Sequence, residues 1–304
     1  MNYYLGDVAM LQALLFEDAP HKYIKPFSTQ LLKWVGNKQR FAHEIVGSFP
    51  DKFNRYYEPF LGSGAILSTL SPMNAFASDA FPPLIEIFKT LKDEPDTLKD
   101  WYKQSWLIAH DDFKKEGYEK IKASYNTNPN GADLLFLCRA CYGGVVRFRK
   151  ADGYMSTPCG VHDPVKPESF NKRTDLWNKR VQNTQFELMD YRESMRTAKK
   201  GDLIYCDPPY KHSQAILYGG QGFRLEELFE EIERCKKRGV YVALSIDGTK
   251  KSGKMNCDLP IPDGLFEEEI YVNVGRSMLK RFQMGGQTLE NELVSDRLLL
   301  TYSL

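Results

Sequence analysis

Asp207-Pro208-Pro209-Tyr210 follows the apolar run Asp202 to Cys206, and two prolines forbid that strand from continuing. A carboxylate, a rigid carbonyl and an aromatic ring in four residues suit one kind of chemistry. They can grip an amino group whose lone pair is conjugated with a ring, as N6 of adenine is. The Asp207 carboxylate and the Pro208 carbonyl would accept its two N–H bonds and turn the lone pair toward a methyl donor, while Tyr210 stacks on the base. As an isolated tetrapeptide, the same four residues also serve as a stiff turn.

A second group is Glu58-Pro59-Phe60-Leu61-Gly62-Ser63-Gly64, where a short strand over Tyr56 to Phe60 runs into glycines and then a helix over Ala65 to Leu70. Glycines at a helix N-terminus let a ligand approach the backbone. A dinucleotide fingerprint would want a third glycine near Leu67, so hydride chemistry is disfavoured. Asp79 ends the next strand, Asn74 to Asp79; it can accept from ribose hydroxyls or cap the following helix. A third group, Leu32-Lys33-Trp34-Val35-Gly36-Asn37-Lys38, reads equally as ligand-contacting residues or as a core tryptophan among surface lysines.

These groups must be held by strands and helices. Leu225, Leu228, Phe229 and Ile232 recur at helical spacing before Gly239 and the apolar run Val240 to Ile246. Strand and helix therefore alternate at both ends of the chain, which predicts βαβ units around a mostly parallel sheet, with helices on both faces. Between them, residues 109–198 read as helical and then loop-like, with Gly143-Gly144, Asp152-Gly153, Pro158, Gly160, Pro164 and Pro167. That middle stretch is also the basic one. Cys138 to Lys200 holds 13 Lys/Arg against 7 Asp/Glu, a net +6, whereas the remainder, with 28 basic and 33 acidic residues, is net −5. Such asymmetry points to one segment facing an anionic partner.

The 304 residues, 42% hydrophobic and 13% aromatic, can fill a proper core. No apolar run approaches bilayer length, and Met1 to Asp7 lack a signal-peptide pattern, so a cytoplasmic protein is expected. Cys138-x-x-Cys141 stands without a second close pair, Cys159, Cys206, Cys235 and Cys257 are scattered, and the five histidines show no ligand spacing. Reduced thiols and no metal are expected.

In their order, Lys-Trp-x-Gly-x-Lys, Glu-Pro-Phe-x-Gly-x-Gly and Asp-Pro-Pro-Tyr resemble the Dam-type (D12 class) DNA adenine-N6 methyltransferases, from about Phe27 onward. The resemblance implies a Rossmann-like S-adenosylmethionine-dependent methyltransferase sheet plus an inserted, mainly helical and loop target-recognition domain. The expected divisions are an N-terminal extension (1–28), a first methyltransferase part (29–108), the insert (109–198) and a second methyltransferase part (199–304). It further implies that Trp34, Lys38, Asp79 and Asp207 contact S-adenosylmethionine, that Glu58, Pro59, Phe60, Gly62, Ser63 and Gly64 form the cofactor loop, and that Asp207, Pro208, Pro209 and Tyr210 hold a flipped adenine. Lys33 would approach double-stranded DNA.

Arg139-x-x-Tyr142-x-Gly144-x-x-Arg147, followed by Gly153 and Pro158-x-Gly160, is similar to the family's DNA-reading hairpin, so Arg139, Tyr142, Arg147 and Arg149 are expected at DNA. Gly143 and Arg149 depart from the asparagines usual there, which leaves the recognition sequence open. Gly275-Arg276-Ser277 and Leu298 to Tyr302 resemble the family's last strands and the loop before them, with Arg276 either at DNA or a plain surface residue. A monomer is expected, and pairing with a restriction endonuclease is left open. The rival readings are a methyltransferase acting on cytosine N4, RNA adenine or protein glutamine, and a catalytically dead DNA-binding scaffold.

Overall fold

The computed structural model describes residues 23–111, 114–209, 223–250, 255–256, 261–275 and 294–304. Most of the N-terminal stretch 1–28, together with Tyr210, Cys257 and Arg276, lies outside the described residues.

The central strands are short and apolar because both of their faces are covered, as parallel strands require. In β4 (Leu203–Cys206), Leu203 and Tyr205 enter one core while Ile204 and Cys206 enter the other. Around it are β1 (Tyr56–Glu58), β2 (Ala75–Asp79), β3 (Thr184–Leu188) and β5 (Tyr241–Lys250), all parallel, in the order β3-β2-β1-β4-β5. Antiparallel β8 (Val294–Leu300) and β7 (Glu268–Gly275) complete the sheet beyond β5, and the short β6 (Met255–Asn256) pairs with β5. The chain runs outward from β1 to β3, then returns to the other side of β1 to lay down β4. Strand order therefore reverses between β1 and β4, and ligands of open α/β sheets bind at the carboxyl ends beside such a reversal.

On one face lie α1 (Ala42–Gly47), α2 (Ala65–Leu70), α3 (Pro82–Asp93) and α7 (Pro167–Val181); on the other lie α8 (Tyr191–Thr197) and α9 (Leu225–Lys237). The helices on both faces expected from the sequence are thus present. Pro82 and Pro83 open α3 where the first amides have no helical partner, and Leu84, Ile85, Ile87, Phe88 and Leu91 form its buried stripe. After α9 the chain turns at Gly239 (φ 75°), and the Val240 N–H returns to the Cys235 carbonyl at 3.1 Å.

The expected insert, 109–198, is corrected at its end. Thr184 to Leu188 pair in register with Ala75 to Asp79, so this stretch is the outer strand of the sheet rather than part of a loop module. Nor do the helices of the middle segment, α4 (Pro95–Asp111), α5 (Lys114–Thr127), α6 (Gly131–Ala140) and α7, own a separate core. Tyr102, Tyr118, Phe136 and Trp177 belong to the same continuous apolar cluster as Leu31, Ile66 and Phe88. Trp177 is fully buried; its ring meets Phe27 and Phe88, and its Nε1 donates to the Thr29 carbonyl at 2.8 Å. Trp177→Ala is expected to cost about 3–5 kcal/mol. In urea it should lower the midpoint of one shared transition, followed by tryptophan fluorescence and far-ultraviolet dichroism; two separate transitions would show that the middle segment folds alone.

Candidate functional site

Four strand ends and one upstream loop converge on a cavity of about 350 Å³. Its wall is built from Trp34 to Lys38, Glu58 to Ser63 after β1, Asp79 to Phe81 after β2, Asp190 to Arg192 after β3, and Tyr205, Asp207 and Pro209 at the end of β4, with Phe223 also on the wall. The three sequence groups therefore meet in one place.

The loop after β1 is held by its own backbone. Leu61 N–H bonds the Ser78 carbonyl at 3.0 Å, and Gly64 N–H closes a turn on Leu61 at 2.7 Å. Gly62 (φ 48°) and Gly64 (φ 65°) take the left-handed conformation, and a Cβ on Gly64 would stand 3.0 Å from the Phe88 ring. Only glycine fits both the dihedral and the packing there. Gly64 opens α2 rather than lining the cavity, whereas Pro59, Phe60, Gly62 and Ser63 line it.

Asp79 accepts from Gly62 N–H and Phe81 N–H, each at 3.1 Å, and also borders the cavity. It ties the β1 and β2 loops together while facing the cavity. Burial raises its carboxyl to about 6, partly offset by these backbone donors. Trp34 is buried beside Phe81, with ring centroids 6.3 Å apart. Lys38, 4% exposed, contacts Asp207 at 3.0 Å and Asp296 at 3.2 Å. Burial alone would lower its ammonium, but the two carboxylates outweigh this and raise it, so Lys38 is charged. Asp207 and Pro209 are half-buried and border the cavity, and Pro208 is buried between them.

Glu58 lines the cavity but turns inward. It is 2% exposed and accepts from the Tyr56 hydroxyl at 2.7 Å; burial pushes it up to about 8. Burial thus favours its protonated form, against the Tyr56 hydroxyl that donates to it.

Sequence reasoning missed Asp190 and Tyr191, because the outer strand reads in sequence as part of the insert, and Phe223, which stands in no motif before α9. Phe60 and Tyr191 stack at 5.0 Å, and Phe223 lies 5.8 Å from both rings and steeply inclined to them, making an aromatic corner. The Asp190 side chain accepts from Arg192 N–H at the start of α8. The available signal was the run Thr184 to Leu188 followed closely by an acid, as at Asp79.

Beside the cavity, residues 141–160 fold back on themselves through the pairs Cys141 with Cys159 and Phe148 with Met155. Tyr118 and Asn126 hold this hairpin through hydrogen bonds to the backbone of Thr157 and Met155. Phe148 packs on Phe81, which packs on Trp34. Tyr142 and Arg147 are exposed at its surface and Lys33 is exposed beside it. Arg149 is also exposed, but it forms a two-point pair with Asp152 at 3.1 and 2.7 Å and lies over the Tyr154 ring at 4.2 Å.

Arg139 is a correction. It is 6% exposed and donates to the Gln30 and Leu31 carbonyls at 3.2 and 2.6 Å, so it braces the chain leading to Trp34 from inside and does not reach a DNA surface.

The sheet order and the cavity at the carboxyl ends of the strands are those of an open α/β enzyme, consistent with a methyltransferase of the α/β type. A family model described as D12 class N6 adenine-specific DNA methyltransferase matches residues 34–269. A type II methyltransferase of Lactococcus lactis subsp. cremoris, M1.LlaDCHI, is 26% identical over 244 residues, covering 73% of this chain and 81% of its own. A DNA adenine methylase of Vibrio cholerae is 26% identical over 236 residues (74% and 83%), and one of Haemophilus influenzae is 29% identical over 227 (70% and 78%). The chain belongs to the D12 class N6 adenine-specific DNA methyltransferase family, and its activity is methylation of adenine in DNA. Among the described residues no helix is long and apolar enough to cross a membrane, and no three His, Cys, Asp or Glu side chains gather as a metal site.

Because Glu58 has a folded-state value near 8 against roughly 4.3 unfolded, the folded state holds the extra proton between those limits. The contribution is full below about 4 and is lost as pH rises through 8. Glu58→Gln should therefore flatten the fall in stability from pH 5 to 8 and be the more stable form at pH 9 by about 1–3 kcal/mol, read from urea midpoints.

Proposed function

We propose that the cavity binds S-adenosylmethionine and that Asp207, Pro208 and Pro209 present to it an adenine turned out of duplex DNA. The observation that carries this reading is the meeting of the β1 loop, Asp79 and the Asp207 turn in one cavity. The residues present fit such a donor. The aromatic corner of Phe60, Tyr191 and Phe223 suits a purine ring, Asp79 suits the ribose hydroxyls, and the carboxylate-rich wall near Asp207 suits a cation. Bound there, the donor would supply a methyl group on an electron-poor sulfonium.

The work of this chain's residues is to orient an amine. The Asp207 carboxylate and the Pro208 carbonyl accept the two N6–H bonds, which draws the nitrogen lone pair out of conjugation and aims it at the methyl carbon. Lys38 holds the Asp207 carboxylate at 3.0 Å, and the proline ring of Pro209 stiffens the turn. Tyr210, outside the described residues, follows directly in sequence and would stack on the base. Turning the adenine out costs a few kcal/mol, which contacts to the duplex must offset.

Lys33, Tyr142 and Arg147 stand exposed on the hairpin side and are assigned to DNA. An aromatic such as Tyr142 can fill a disturbed stack, and an exposed arginine can bind a guanine edge or a phosphate. Arg149 has a different role, since its pairing with Asp152 and Tyr154 stiffens the hairpin tip.

Radiolabelled S-adenosylmethionine and adenine-containing duplex DNA should yield N6-methyladenine, identified by chromatography of the nucleosides, and Asp207→Ala should lower the rate by about 100-fold or more, the scale of losing a group that stabilises the transition state. Label on RNA or on protein instead would transfer the reading to another amino group. Arg147→Ala is expected to relax sequence preference by about 1–3 kcal/mol at one base pair, whereas Arg149→Ala should leave preference intact and weaken binding to all duplexes alike. Methylation of a library of duplexes separates the two outcomes.

A further inference from the structure

No sequence motif singles out Asp296. It lies near the start of β8, opposite Asp247 of β5 and Val272 of β7, and is 8% exposed. Its carboxylate meets the Lys38 ammonium at 3.2 Å while Asp207 meets the same ammonium at 3.0 Å from the end of β4. Two acids thus share one cation beside the cavity. An ammonium paired with Asp207 alone would cancel that carboxylate. Sharing leaves an excess of one negative charge on the trio, and a charge kept this far from water favours a positive ligand to compensate it.

We propose that Asp296 is a positioning residue that takes part of the Lys38 charge away from Asp207, so that the cavity prefers a cationic sulfonium to the neutral thioether left after methyl transfer. The proposal rests on the reading of the cavity as a site for S-adenosylmethionine. Asp296 does not line the cavity, and its effect passes through Lys38. In consequence the spent donor, having lost its positive charge with the methyl group, is held less firmly than the fresh one.

Calorimetric titration of the full chain with S-adenosylmethionine and, separately, S-adenosylhomocysteine tests this without turnover. The two ligands differ by one methyl and one charge. In Asp296→Asn and Asp296→Ala the ratio of the two affinities should move about 5- to 10-fold toward the neutral ligand, the effect of one nearby, partly screened charge. Asp296→Glu should keep the original ratio. A role confined to folding would weaken both ligands together, so an unchanged ratio in the neutral variants overturns the proposal. Failure of both variants to fold, seen by circular dichroism, overturns it as well, because the carboxylate would then be structural. Wild-type protein that binds neither ligand would instead overturn the reading of the cavity, and the proposal with it.

Discussion

A single ammonium joins three parts of the chain that are far apart in sequence. Lys38 belongs to the loop before α1, Asp207 to the turn after β4, and Asp296 to a strand that runs opposite to both β1 and β4. Taking such charges out of water costs several kcal/mol per ion, and the loss is recovered only where the partners are already held in place. The sheet provides that. Antiparallel β8 lies against β5 from Ala243 to Thr249, which fixes Asp296 beside the carboxyl ends of the parallel strands, and the Leu298 and Leu300 side chains anchor it in the main core. Without the antiparallel edge, the Asp207 turn would face a buried lysine with one partner fewer.

Four acids line or border the same cavity, and their surroundings divide the work among them. Glu58 sits deepest, answers to Tyr56 and is pushed by burial toward its protonated form; Asp79 is consumed by loop amides on one side and open on the other; Asp190 starts a helix; Asp207 is matched to a cation. Chemically equivalent side chains have separated by depth and by the donors each one meets.

Much of this was legible in the residues. The helix from Ala65 to Leu70 and the strand ending at Cys206 fall where glycines, prolines and apolar runs place them, because local rules decide such boundaries. The outer strand was not legible. Its Thr-Gln-Phe-Glu-Leu alternates in exposure as an edge strand does, but it lies in a basic stretch whose charge suggests a separate module. Arg139 shows the same limit: arginine in a basic segment counts as surface charge until a backbone carbonyl pair is found beside it in the core. Asp296 could not be singled out, since an acid in a strand carries no pattern until its partner, far away in sequence at Lys38, is known.

The contact between Gly144 and Lys33 joins the hairpin sterically to the segment that carries Trp34 and Lys38. A Cβ at Gly144 would stand 2.9 Å from the Lys33 Cβ, so the hairpin backbone rests directly on the residue that precedes Trp34. Space for a side chain in the hairpin is therefore open at Gly153 near its tip and closed at Gly144 at its root. A chimera that borrowed another relative's hairpin would have to inherit its root geometry together with the segment around Lys33, as one interlocked unit.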